Sequence, residues 1–147
     1  MNLIFGCDEA VAEWVCNRIP HAEPFGECVG IGVADDAELL AGVVFDQWSE
    51  MHKTLQLSMA ADSPRWAKRG IVYALLSYAF DQAGAQKLWT ATPISNERAL
   101  KFNLGVGFTK EAVLGHHFGK EHAVICRMYR KDFEARYREL RQDEART

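Results

Sequence analysis

Between Thr54 and Gln82 the apolar residues change period, and that change dictates a strand followed by a helix. In Thr54–Ala60, Leu55, Leu57 and Met59 alternate with Thr54, Gln56 and Ser58, the two-residue rhythm of a strand with one apolar face. From Gly70 to Gln82 the rhythm turns helical. Ile71, Leu75 and Ala79 fall at four-residue steps beside Val72, Leu76 and Phe80, and Gly84 stops the run. Between the two lies a basic connection, "SPRWAKRG". A chain that leaves a strand at Ala60 and enters a helix at Gly70 gathers free backbone N–H groups and the positive end of a helix dipole at one point. Such a point attracts phosphate. Gly70 permits close approach of a ligand, and Arg65, Lys68 and Arg69 add positive charge. Read locally, the same stretch is equally a solvated basic turn.

The remaining elements surround this strand–helix unit. Asp8–Ile19 reads as a helix capped by Asp8, with Val11, Trp14, Val15 and Ile19 on one face and Pro20 at its end. Cys28–Ala34 and Glu38–Phe45 form a hairpin around Asp35-Asp36-Ala37. Lys87–Thr92 is a further strand, Asn96–Gly105 a short helix capped by Asn96, and Thr109–Leu114 with Ala123–Tyr129 a second hairpin. The tail from Arg130 mixes both signs of charge, pairs Glu134 with Arg138 at i, i+4, and reads as one solvated C-terminal helix over 130–147. This order predicts one domain over 1–147 of α/β (α+β) class, with a mixed, mostly antiparallel sheet flanked by helices.

Composition narrows the functions open to such a chain. No apolar run approaches the roughly 20 residues that span a bilayer, and the start, MNLIFGCDEA, lacks a signal-peptide n-region, so a cytoplasmic protein without membrane partners is expected. Cys7, Cys16, Cys28 and Cys126 are scattered and contain no C-x-x-C pair, as reduced thiols would be. A formal net charge of −3 disfavours nucleic-acid binding, even with Trp66 beside the basic turn. Neither G-x-x-x-x-G-K-[ST] nor G-x-G-x-x-G is present, which argues against a nucleotide triphosphatase or a dinucleotide enzyme. His116, His117 and His122 lack a compact i, i+4 helical pairing, so exposed hairpin histidines are expected rather than a metal site. Glu50 and His52 are candidates for drawing a proton through water.

Two segments carry a resemblance to a known family. Arg65-x-x-Lys68-x-Gly70 resembles the Q/R-x-x-G-x-G/A motif of the GNAT N-acetyltransferase superfamily, and "NERALKFNLGVGF", Asn96–Phe108, resembles its N-x-x-A/S-x-x-x-Y-x-x-x-G-F segment. Asn96, Ala99, Gly107 and Phe108 stand in register, and the likeness runs from about Glu38 to Tyr129, nearest to the ribosomal-protein N-terminal acetyltransferase branch. The resemblance implies an acyl-CoA N-acyltransferase fold that moves an acetyl group from acetyl-CoA to a primary amine, a protein N-terminus or a small molecule, as a monomer or homodimer without a metal. It implies cofactor contacts at Met59, Ala60, Arg65, Lys68, Arg69, Gly70, Ile71, Asn96 and Asn103. Three departures bear on catalysis. Lys68 stands where the family has glycine, Asn103 where many members carry a proton-donating tyrosine, and Thr54–Ala60 offers no base. The alternative reading is a non-catalytic acyl-CoA-binding or protein-interaction module on the same fold, and the catalytic residues stay unassigned.

Overall fold

The computed structural model describes residues 1–146. Its centre is a seven-stranded sheet in the order β1-β2-β3-β4-β5-β7-β6. The strands are β1 (Asn2–Ile4), β2 (Val29–Asp35), β3 (Glu38–Ser49), β4 (Thr54–Ala61), β5 (Lys87–Pro93), β6 (Thr109–Phe118) and β7 (Glu121–Tyr129). Every neighbouring pair is antiparallel except β4 with β5, so the α+β class and the mixed, mostly antiparallel sheet stand as expected. β1 has no counterpart in the sequence reading, because three residues are too few to show a period; it completes the edge by pairing Leu3 with Val33.

Helix α1 (Asp8–Cys16) lies on one sheet face, with Val11, Ala12 and Val15 buried against Val44. Two glycines let it lie that close. A Cβ on Gly42 would sit 2.8 Å from Val15 Cγ2, and one on Gly30 would sit 2.9 Å from Val11 Cβ. Asp8 does not cap this helix; its Oδ1 accepts the Gly30 N–H at 3.0 Å and ties α1 to β2 instead. The helix also ends earlier than Ile19, at Cys16, where the chain turns beneath Arg18, whose guanidinium lies 3.6 Å from the Trp14 ring centre.

The opposite face holds the larger core. Leu55 and Leu57 of β4 meet α2 (Arg69–Ser77), whose last turn widens into a π-turn over Tyr78–Gln82 before Gly84, at φ 86°, breaks it. Helix α3 (Glu97–Val106) starts as expected, with Asn96 Oδ1 accepting the Ala99 N–H at 3.2 Å, and runs past Gly105 to stop at Gly107, at φ 116°. The tail departs most from expectation. It forms two helices, α4 (Arg130–Arg136) and α5 (Arg138–Ala145), divided at Tyr137, while position 147 lies outside the described residues. It is not merely solvated: Phe133 is fully buried and stacks on Phe80 and Tyr73 at 4.8 and 5.8 Å, and Tyr137 donates its hydroxyl to Val106 O at 2.8 Å. The i, i+4 charge pattern marked the outer face of these helices and hid the aromatic inner one.

Candidate active site

The sheet carries its own opening. β4 and β5 pair only over Thr54–Gln56 with Lys87–Trp89, after which β4 stays with β3 as far as Ala61 and β5 stays with β7 as far as Pro93. The two central strands therefore splay into a V. The N–H of Asp62 donates to Leu40 O at 2.8 Å, so the two-residue alternation turns the amides of Ser58 and Ala60 toward β3 and leaves those of Met59 and Ala61, beyond the last β4–β5 rung, facing the V. On the other lip, the Ile94 N–H donates to His122 O at 2.9 Å, and the same alternation leaves the Ala91 amide, beyond the last β4–β5 rung at Trp89, facing the gap. Unpaired strand edges inside a protein call for a ligand with its own amides.

A cavity of about 410 Å³ fills the V. Leu57–Ala61 and Thr90–Pro93 form its lips, with Trp66 and Ala67 on one side and Asn96, Ala99, Phe102 and Asn103 on another. Asn103 is buried and its Nδ2 donates to Thr90 Oγ1 and Thr92 Oγ1 at 3.3 and 3.4 Å, so the side chain at the tyrosine position braces α3 against β5. Trp66 is 3% exposed and packs under the basic connection against Phe102 at 5.5 Å, rather than standing out from it.

At one mouth of the V lies the N-terminus of α2. The Ser63 hydroxyl accepts the Arg65 N–H at 3.3 Å and starts a short turn over Pro64–Trp66, after which Lys68 N–H donates to Trp66 O at 2.8 Å. The first intrahelical bond is Val72 N–H to Lys68 O at 3.0 Å, and the amides of Arg69, Gly70 and Ile71 have no acceptor among the described residues. Lys68, Arg69 and Gly70 are exposed. Nothing lies within 4 Å of a Cβ built on Gly70, so this position is open on its outer side. The three cations divide. The Lys68 ammonium has no ion-pair partner among the described residues, Arg65 holds Asp35 at 2.8 Å, and Arg69 turns away to Glu139 and to the carbonyl of Arg136. That Arg69 contact also holds the Glu139 carboxyl below the usual range, after the helix-end backbone hydrogen bond that contributes most.

The other mouth is crossed by a strap that the sequence did not reveal. Arg18 bonds both Asp62 oxygens at 2.9 and 3.2 Å, at the tip of β4. Three residues on, His21 Nε2 meets Glu121 Oε2 at 3.1 Å and its ring stacks on Phe118. Glu121 Oε1 in turn accepts from the Ser95 N–H at 3.0 Å and from the Ser95 hydroxyl, just past the tip of β5. These Ser95 bonds, more than His21, hold the Glu121 carboxyl below its ordinary value. The segment Arg18–His21 thus joins the two lips at their widest separation, with Ile19 and Pro20 lining the cavity. Pairs at sequence separations of 44 and 100 leave no periodic trace in the sequence.

The other chemical candidates do not converge on the V. His122 Nδ1 accepts the His116 N–H at 2.9 Å, and among the described residues no three His, Cys, Asp or Glu side chains are grouped to hold a metal ion. Glu50 bonds Lys53 at 2.6 Å and the Trp48 indole at 2.9 Å, contacts that keep its carboxyl acidic and make it a poor proton acceptor.

No protein-family model and no curated protein matches the sequence. Solved structures do match the fold. Spermidine N-acetyltransferase from Vibrio cholerae, in complex with CoA and spermine, superposes with a TM-score of 0.71 at 13% identity, covering 90% of this chain and 96% of that one. A mutant form of the same organism's spermidine/spermine N-acetyltransferase gives 0.71 at 14% identity over 92% of this chain and 99% of that one. An acetyltransferase of T. thermophilus whose assignment is provisional gives 0.68 at 17% identity over 81% of this chain and 68% of that one. The fold is that of the GNAT acetyltransferases.

Proposed function

We propose that this protein is an acetyl-CoA-dependent N-acetyltransferase acting on a primary amine. The observation that carries the reading is the splay of β4 from β5, which leaves strand amides of both lips unpaired beside an open helix N-terminus. Acetyl-CoA matches this arrangement. Its pantetheine arm carries amides for the strand edges at Met59 and Ala91, beside Ala60 in the cavity lining, and its pyrophosphate suits the free amides of Arg69, Gly70 and Ile71 with Lys68 as a point charge. Asn96 spends Oδ1 on its own helix and keeps Nδ2 for the arm. Asn103 holds β5 in place beside the thioester, and Arg65 and Arg69 enter the cofactor site only by leaving their present carboxylate partners.

In the reaction, the Met59 N–H facing the V polarises the thioester carbonyl and receives the developing oxyanion. An amine entering from the α1 side forms the C–N bond as the C–S bond breaks, and the thiolate leaves with the electron pair. Asn103 is not an acid; coenzyme A is a stable enough leaving group to depart as thiolate and take a proton from solvent. Holding the two reactants in one slot is the main resource, worth up to about 7–11 kcal/mol. The matched enzyme bound CoA and spermine; for this chain the acceptor is proposed only as a primary amine. The matched structures lend no support to the ribosomal-protein branch. A cytoplasmic setting suits four cysteines that are all unpaired.

The test is thiol release from acetyl-CoA across a panel of amines, followed by mass measurement of the acceptor. Thiol and acetylated amine appearing in equal amounts supports the enzyme. Tight CoA binding without turnover over alkylamines, aromatic amines and peptide N-termini favours the non-catalytic module.

A further inference from the structure

The strand beside the slot offers no base, yet an amine acceptor arrives largely as ammonium at neutral pH and must lose a proton before it can attack. β3 supplies a carboxylate at this level. Asp46 pairs across the ladder with Gln56, and Gln56 with Trp89 is the last rung before β4 and β5 separate. Val44, two residues earlier, faces α1, so Asp46 lies on that same face, the one from which the strap and the acceptor mouth open. Ser58, directly opposite Val44, shares that face and lines the cavity. Asp46 is therefore the diagonal neighbour of a slot residue, about 7–8 Å away from Cα to Cα, with the two polar side chains on one face and a water between them as the bridge.

The carboxylate is in an unusual state for a structural residue. Its Oδ1 is buried and has no hydrogen-bond partner among the described residues, and burial raises its proton affinity while a hydrogen bond from Gln47 offsets this in part. The titratable groups gathered at this site are Asp8 and Glu9 of α1 and Cys28 at the head of β2, whose thiol is held up first by burial and then by the charges of Asp8, Asp46 and Glu9. Among the described residues, no cation pairs with Asp46. A carboxylate with one oxygen buried and left without a donor holds its negative charge less well than a solvated one and takes up a proton more readily.

Resting on the acetyltransferase reading, we infer that Asp46 is the proton acceptor for the acceptor amine. The ammonium gives one proton to the Asp46 carboxylate through a water held by Ser58. The freed nitrogen pair forms the bond to the thioester carbon, the C–S bond breaks toward sulfur, and the remaining extra proton passes to the thiolate through solvent. Asp46 then releases its proton to water, so ammonium and acetyl-CoA become amide, coenzyme A thiol and one proton.

The experiment compares wild type with Asp46→Asn on two acceptor classes at pH 7, an alkylamine that is protonated and an aromatic amine that is already neutral. The expected result is a fall in kcat/KM of about 10²- to 10⁴-fold for the alkylamine, recovering as pH rises, with the aromatic amine changed less than about threefold. Asp46→Glu should keep part of the alkylamine activity. An equal loss for both acceptors, or no loss for either, overturns the assignment while leaving the acetyltransferase reading intact. A wild type that binds acetyl-CoA and acetylates neither class overturns both. Folding is controlled by urea unfolding. A carboxyl with raised proton affinity in the fold contributes stability below its unfolded value near 3.9 that is lost as pH rises through the folded value, so Asp46→Asn should be the more stable protein at pH 7 and gain nothing at pH 3.

Discussion

The two mouths of the V treat charge in opposite ways. At the α2 mouth, three consecutive amides and the exposed Lys68 ammonium have no partners among the described residues. At the α1 mouth the strap's polar side chains are spent on partners across the gap, Arg18 on Asp62 and His21 on Glu121. Both mouths are rich in ionisable groups, so composition does not separate them; the state of pairing does. Groups left unpaired at a rim are available to a ligand, whereas groups paired across a gap fix its width. The same contrast holds within the basic connection, where Lys68 has no ion-pair partner among the described residues while Arg65 and Arg69 are engaged.

The largest effect should come from breaking the α1 mouth without touching the other. Gly42→Val places a branched side chain where a Cβ alone already sits 2.8 Å from Val15 Cγ2 and 3.2 Å from Val11 Cγ1, so α1 must move off the sheet. We expect about 1–3 kcal/mol lost in urea unfolding, with coenzyme A affinity retained in the folded fraction. Unchanged stability would mean that α1 is not held by this contact.

At the α2 mouth, Lys68→Ala should weaken coenzyme A binding by about 1–3 kcal/mol in calorimetry, the worth of a charge-assisted contact. Arg65→Ala and Arg69→Ala sharpen the comparison: each removes an exposed pair worth about 0–1 kcal/mol of stability, and each should cost less affinity than Lys68→Ala because binding must first detach it. A larger affinity loss from Arg69 than from Lys68 would show that the arginine swings onto the phosphate.

The smallest effect concerns the strap. Glu121 has a lowered carboxyl pKa, so the stabilisation it brings is present above the unfolded value near 4.3 and is lost as pH falls through the folded value. Glu121→Gln should therefore be less stable than wild type at pH 7 and equal to it near pH 3, and should alter KM for bulky amines more than for slender ones. A stability gap that persists at low pH would remove the carboxylate from the account.

Much of this was written in local periodicity. The strand over Thr54–Ala60 and the helix after Gly70 could be read because each repeats its period several times, and the cap at Asn96 because capping is a contact over three residues. The strap, the brace from Asn103 to Thr90 and Thr92, and the orphaned carboxylate of Asp46 could not. The strap and the brace join residues between 11 and 100 positions apart, and Asp46 sits at the end of an apolar run where it looks like the strand's solvent-facing terminus. The tail misled for a related reason: Phe133 and Tyr137, four residues apart, are a buried stripe inside a segment whose charges dominate.

The central claim is that one end of acetyl-CoA rests on the amides of Arg69, Gly70 and Ile71 while its arm lies between β4 and β5. Amide chemical shifts of the labelled protein, titrated in parallel with coenzyme A and with pantetheine alone, read both ends at once. Coenzyme A should move the Arg69–Ile71 amides together with Met59 and Ala91, whereas pantetheine should move only the latter two. Arg69–Ile71 amides that stay in place at saturating coenzyme A would contradict the account.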